Sequence, residues 1–327
     1  MAAGVAGTTV ARCAAPQVVR AFVIQFTTDM PAGDKLINAI GGNGENPGRF
    51  RLFSGNWYKT QYYYPPYVPC DPPPSKRRRF DVMGNTAPRR TAASMALGVG
   101  KVEHARREGK SKVAVRTIAR QEGFKGYSLF LCPSPEDKRP YPALEYLWKI
   151  GPDLAPYDTM HLFCLNVVPS LWELFCGDDD KLGDDQPCVM TNAAREAIGR
   201  EMRAGRPRVP FSQARSLQNI NKHSSSFKAV DWTYFRSSIG EVVLADRIPD
   251  AYFKMFMLFC LAGRILFKPS AITTGELREV DKLLKRFFLA FYTHVHSGKE
   301  DRLRVCRPKI IALLEVTANL RSCGPAW

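Results

Sequence analysis

The sequence predicts an α+β fold in which helix predominates, and three patterns carry that expectation. One segment, Val18 to Phe26, has the short β-branched and aromatic run of a buried strand, ending at the polar Thr27-Thr28-Asp29. From Pro156 onward apolar residues recur at helical spacing, and the last hundred residues read as all-helical. The 327 residues are 45% apolar and 24% charged, close to a soluble globular average, which excludes wholesale disorder and an integral membrane protein. Such a length allows about two domains.

Taken in order, the first nineteen residues lack a charged region followed by a solid apolar run and do not read as a signal peptide. After the strand, Pro31 opens a short helix, Ala32 to Ile40, stopped by Gly41-Gly42. A Gly/Asn-rich loop leads to a tyrosine-dense stretch, Trp57 to Tyr67, whose Pro65 and Pro66, with Pro69 beyond them, argue against a central strand. Pro72 to Pro74 turn the chain into Lys76-Arg77-Arg78-Arg79. A helix-compatible run then extends from Ala92 to Gln121, weakened by Gly98 and Gly100. Beyond Pro156, Met160, Phe163, Val167 and Leu171 define one helical face, extended by Leu174 and Phe175, and Pro169 should bend or divide that helix. An acidic loop, Asp178 to Asp185, and a polar basic stretch to Ser226 precede three helices: Asp250 to Phe267, Thr274 to His294 and Pro308 to Leu320. The longest apolar stretch, Met255 to Gly263, is far short of the ~20 residues a spanning helix needs, so no membrane partner is expected.

Charge supplies the functional signal. Lys and Arg number 47 against 31 Asp and Glu, for a net charge of +16. Between Lys76 and Lys125 fourteen basic residues face four acidic ones, so this segment alone holds ten of the surplus charges. A polyanionic partner is implied, nucleic acid first and an acidic membrane surface second. The candidate DNA contacts are Lys76, Arg77, Arg78, Arg79, Arg89, Arg90, Arg106, Arg107, Lys110, Lys112, Arg116 and Arg120, with Lys76 to Arg79 doubling as a nuclear-import patch. The competing reading is a solvated helix and a linker. Nine scattered cysteines without a C-x-x-C pair argue against a disulfide framework and a zinc ribbon. The sequence contains no G-x-G-x-x-G, P-loop, H-E-x-x-H or G-x-S-x-G motif, so no small-molecule substrate is expected. The aromatic stretch Trp57 to Tyr67 has two readings, base stacking and simple packing.

Two carboxylates stand out by context. Asp29 lies between a strand and a helix, and Asp158 opens a helix after an aromatic-proline turn; taken alone, each reads as a turn or cap residue. Around them the sequence resembles CACTA (En/Spm)-type transposases, in particular fungal ones. Asp29-Met-Pro-Ala-Gly-Asp, followed by Asn43-Gly-Glu-Asn-Pro47, is similar to the family's D-x-P-A…G…N-x-x-x-P-C-R-F-C region. Asp158-Thr-Met-His161…Asn166-Val resembles its D-x-M-H…N-V motif. Similar phrasing continues from Arg215 to Trp232 and in Cys323 to Trp327, in the family's order.

The resemblance implies a partial RNase H-like core with a large basic insertion, then a helical C-terminal domain. The boundaries expected on this basis are 1–60 for the partial core, 61–150 for the basic and aromatic insertion, 151–200 for the returning core helix, and 201–327 for a linker and the helical domain. It implies DNA cleavage and strand transfer with two Mg²⁺ or Mn²⁺ ions held by three carboxylates, because in-line phosphodiester displacement needs both attacking and leaving oxygens stabilised. Asp29 would be the second of these carboxylates and Asp158 the third. Asn166 and His161 would flank the site, His161 orienting it from behind; a core histidine on the apolar face is the other reading of His161. Departures accompany the match. No first carboxylate is found in residues 1–20, and Pro47-Gly48-Arg49-Phe50-Arg51 lacks both thiols of the family's motif, so no zinc is expected. Ile311 and Glu315 stand where relatives have histidines. The expectation is a truncated, partly degenerate, catalytically incomplete copy, nuclear, with DNA and self-association as its interactions. The alternatives are a non-catalytic nucleic-acid-binding or interaction protein and a gene fragment without activity.

Overall fold

The computed structural model describes residues 5–8, 17–19, 26–67, 80–81, 87–128, 130, 149–177, 186–209 and 218–324. The fold is α+β and rich in helix. It divides into two compact units, residues 1–52 with 88–156 and residues 53–87 with 157–327, so the expected insertion 61–150 is shared between them. Among the described residues the strands form two-stranded pairs only, and no helix is long and apolar enough to cross a membrane.

In the first unit, β1 (Val5–Thr8) pairs antiparallel with β2 (Gln17–Val19). The strand expected over Val18 to Phe26 is thus present at its beginning, and residues 20–25 lie outside the described set. Helix α1 (Met30–Leu36) starts with Pro31 in its first turn and ends before Ile40, because Asn38 adopts a left-handed conformation at φ 53°. Further on, α2 (Ala92–Arg107) and α3 (Lys112–Glu122) replace the single expected run. The break falls at Gly109, φ 66°, where a left-handed turn suits glycine, and not at Gly98 or Gly100. Gly98 is buried within α2, so packing offsets its poor propensity there. Ile37, Ala39, Met95, Val99, Phe124, Leu154 and Ala155 form the core.

A buried guanidinium organises this unit. Arg49 is 1% exposed and donates to Asp34 Oδ1 at 2.9 Å, Ala155 O at 3.1 Å and Asp29 O at 3.3 Å, and also to Met30 O. Gly33 makes room for it, since a Cβ there would fall on the guanidinium. Burial pushes the Asp34 carboxyl above its ordinary value, and Arg49 opposes that shift.

The second unit contains a hairpin of β3 (Asn56–Tyr58) and β4 (Gln61–Tyr63), turning at Lys59 with φ 55°. Beyond it, β5 (Pro66–Tyr67) pairs parallel with β6 (Phe80–Asp81), and among the described residues no strand of the tyrosine-dense stretch is a central one. A π-helical turn, His161–Val167, runs into α4 (Val168–Cys176). Pro169 sits where the two meet. The widened turn there relieves the clash that a proline ring makes with the carbonyl four residues back, so the chain continues as one helix. Among the described residues, the further α-helices of five residues or more are α5 (Asn192–Gly205), α6 (Ala229–Tyr234), α7 (Gly240–Leu244), α8 (Asp250–Leu266), α9 (Thr274–Phe291), α10 (Pro308–Ala312) and α11 (Val316–Cys323). Their core is aromatic: Phe163 stacks on Phe259 at 4.6 Å, and Phe287 tilts against Phe259 at 5.3 Å. Five cysteines here are buried thiols, and burial pushes Cys260 up to about 12, so they serve as small apolar core groups.

Two consequences are measurable. Arg49→Met leaves the half-buried Asp34 carboxylate unpaired and should cost about 3–5 kcal/mol in urea denaturation. Arg49→Lys should not restore this, because one ammonium cannot serve acceptors arranged for a planar fork; full stability in either variant would remove Arg49 from its organising role. In the second unit, the hydrogen bond from Lys268, together with the Thr273 amide and hydroxyl, lowers the Glu276 carboxyl from 4.5 to about 2. The folded chain binds this proton less tightly than the unfolded chain, so the stabilisation is complete above 4.5 and is lost as pH falls towards about 2. Glu276→Gln should flatten the loss of thermal stability in that window, and an unchanged acid profile would contradict it.

Candidate nucleic-acid interface

The basic segment folds into a helical pair whose ends are locally determined. Thr91 caps α2 through a reciprocal box with Ser94: Ser94 N donates to Thr91 Oγ1 at 3.1 Å and Thr91 N to Ser94 Oγ at 2.8 Å. Met95, Val99, Val102 and Ala105 form the buried stripe of α2, leaving its charged residues outside. His104, Arg106 and Arg107 occupy the last turn, where cations complement the negative end of the helix dipole. Ser111 caps α3, which has no acidic residue in its first turn and fully buries Ala119 alone.

The predicted DNA contacts separate into classes on this scaffold. Lys76 to Arg79 lie outside the described residues. Arg90, expected at the surface, is 3% exposed, donates to Gly48 O at 2.8 Å, Asn46 O at 3.0 Å and Glu122 O at 3.1 Å, and its guanidinium lies over the Phe124 ring. Such a group holds loops together and has no face left for a phosphate. Arg89 pairs with Asp153 at 2.7 Å and Lys110 with Glu108 at 3.0 Å. Lys110's hydrogen bond, aided by the charge of His104, holds the Glu108 carboxyl below its usual range. Arg106 pairs with Glu103 and also donates to Lys125 O. Arg120 is half-buried. Arg107, Lys112 and Arg116 are exposed and make no ion pair among the described residues.

Four of these cations, joined by Lys125, line one groove of about 610 Å³. Arg106, Lys110, Lys112, Arg116 and Lys125 form its rim, and Ile40, Val115 and Ala119 are its apolar members. Lys112, Val115, Arg116 and Ala119 recur on α3 at the three- and four-residue spacing of one helical face. Lys125 and Ile40 were missing from the predicted contacts. Lys125 was legible as the end of the basic run, whereas Ile40 arrives through tertiary pairing, its amide donating to Gly123 O at 2.9 Å.

The carboxylates Asp29 and Asp158 belong to different units. Each caps a helix: Ala32 N donates to Asp29 Oδ1 at 2.7 Å, and His161 N to Asp158 Oδ1 at 3.0 Å. Asn166 donates to the carbonyl of His161 at 3.1 Å, bracing the π-helical turn from within, and His161 is half-buried. Among the described residues no group of three His, Cys, Asp or Glu side chains is placed to hold a metal ion. Comparison with protein-family models, with curated proteins and with solved structures finds no match to this chain.

The capping role has a stability signature. Asp29→Ala and Asp158→Ala should each lower unfolding free energy by about 1 kcal/mol, and the Asn variants should retain most of it, since an amide oxygen still accepts from the first-turn amide. Equal losses in the Ala and Asn variants would refute capping as the source.

Proposed function

We propose that this chain is a transposase-derived protein of the CACTA (En/Spm) kind, RNase H-like in ancestry, whose present activity is DNA binding without strand transfer. The observation that carries the binding is the cationic surface of α2 and α3, where Arg107, Lys112 and Arg116 are exposed on one helical pair and Lys125 is exposed just beyond its end. The ordered motifs from Asp29 to Asn166 support the ancestry. Two residues shared with the family's motif, Arg49 and Phe50, are both fully buried, as residues that determine a fold would be. Nuclear localisation through Lys76 to Arg79 belongs to the same reading.

Strand transfer asks for more than Asp29 and Asp158 offer. The family's chemistry would place Mg²⁺ or Mn²⁺ on converging carboxylates, yet each of these two gives one oxygen to a helix amide. With no third described partner, the residues present do not fit the metal pair, and no step is assigned through it.

DNA binding of this type is dominated by counterion release. The four exposed cations of this surface, counted among the described residues, predict by themselves a slope of log Kobs against log salt of roughly −3 to −4, a loss of about a hundredfold between 50 and 200 mM salt. Fluorescence anisotropy on a labelled duplex should show that slope, and Lys112→Gln with Arg116→Gln should flatten it by about 2 and weaken binding on every sequence alike. An unchanged slope in the double variant would sink the assignment. Mg²⁺-dependent nicking that vanishes in both Asp29→Ala and Asp158→Ala would restore the catalytic reading.

A further inference from the structure

The groove beside α3 contains something that a phosphate-binding surface does not need. Val115 and Ile40 are half-buried and Ala119 is 5% exposed, and together they give the cationic groove an aliphatic floor. A B-form duplex turns its sugar-phosphate backbone outward and keeps the flat faces of its bases stacked inside, so it can satisfy the rim and leaves this floor uncovered. A single strand carries phosphates and unstacked, flat, apolar base faces on the same chain. We propose that the groove seats an unpaired nucleotide, its base against Val115, Ile40 and Ala119 and its flanking phosphates on Lys112, Arg116 and Lys125. This rests on the DNA-binding reading above and specifies its ligand as single-stranded nucleic acid.

Size and charge favour this occupant over a protein segment. An α-helix with side chains is 10–12 Å across and rises 5.4 Å per turn, so a groove of about 610 Å³ accommodates roughly one turn. A helix docked in a groove uses anchors spread over two turns or more. One nucleotide, by contrast, matches a site of this volume, in the range of small-ligand pockets. The rim is also of one sign. Glu103 and Glu108 are engaged by Arg106 and Lys110, and Lys112 stands at the positive end of the α3 dipole, which adds to the attraction for phosphate. Pulling a base out of a duplex carries an unstacking and unpairing cost that a single strand largely avoids, so a floor that needs a free base translates into preference for single strands.

The test uses the full chain, with anisotropy of a labelled twenty-residue oligothymidylate and of a blunt duplex of equal length at one salt concentration. The single strand should bind about tenfold more tightly. Val115→Ser removes floor without charge and should weaken the single strand about fivefold, leaving duplex affinity and the salt slope unchanged; Val115→Phe should strengthen the single strand by offering a ring for stacking. Equal affinity for the two forms, or a Val115→Ser loss common to both, overturns the proposal while leaving the duplex-binding reading intact. Failure of both nucleic acids to bind removes the two together. Binding of an amphipathic Glu/Leu helical peptide that Val115→Ser weakens, without any single-strand preference, would assign the floor to a protein partner and likewise overturn it.

Discussion

Arg49 is the constraint on which the first unit depends. Desolvating a guanidinium costs several kcal/mol unless hydrogen bonds and a counter-charge replace water, and Arg49 obtains them from Asp34, Ala155, Asp29 and Met30. Those partners are the N-cap and first two turns of α1 and the far end of the unit in sequence, so one side chain fixes where the chain enters a helix and where it leaves the core. Next to Arg49, the Phe50 carbonyl accepts from Arg90 N at 2.7 Å, and Leu52 N donates to Pro88 O at 3.0 Å. This short antiparallel bridge delivers Thr91 to the start of α2, while the Arg90 side chain reaches the Glu122 carbonyl at the end of α3. Two buried arginines therefore define the frame from which the exposed cations project.

The second unit contains a similar device with different partners. Arg236 is 1% exposed, lies over the Phe267 ring at 5.0 Å and donates to Cys260 O at 3.4 Å. Burial depresses its pKa, while Cys164 and Cys260 favour its charge. Gly263 leaves the space it occupies. Arg236 lies in a π-helical turn, Phe235–Ile239, and Asn166 in another. Such turns re-aim side chains that an unbroken α-helix would hold on a different face, which accounts for a polar group reaching the middle of an aromatic core.

Sequence reading succeeded where local chemistry decides the outcome. The helices beginning at Asp250, Thr274 and Pro308 were legible because periodic apolar residues and N-terminal signals act within a few residues. The capping alternative for Asp29 and Asp158 was legible for the same reason. What it missed depends on distant partners. Gly98 looked like a weak point because propensity sees no neighbours, yet its burial in α2 keeps the helix intact and the break moves to Gly109, where the backbone turns left-handed. Arg90 looked like a DNA contact because charge patterning does not reveal burial. The groove escaped because Ile40 lies more than seventy residues before α3, and its amide bond to Gly123 O is a tertiary event.

That difference between buried and exposed charge changes what the basic segment can do. Fourteen basic residues suggested an extended polyanion-binding surface. Within it, Arg90 stabilises the fold, and Arg89, Lys101, Arg106 and Lys110 face carboxylates at ion-pair distance. Exposed pairs of this kind contribute little stability, but they neutralise the local field. Among the described residues, the field left over concentrates on Arg107, Lys112, Arg116 and Lys125, a few cations beside an aliphatic floor. A broad basic face would grip any duplex through many phosphates. A small cationic patch gains less from the backbone alone, so apolar contact makes up a larger share of its binding energy. On the proposed nucleic-acid reading, the chemistry of the floor, rather than the count of positive charges, would decide which form the groove prefers.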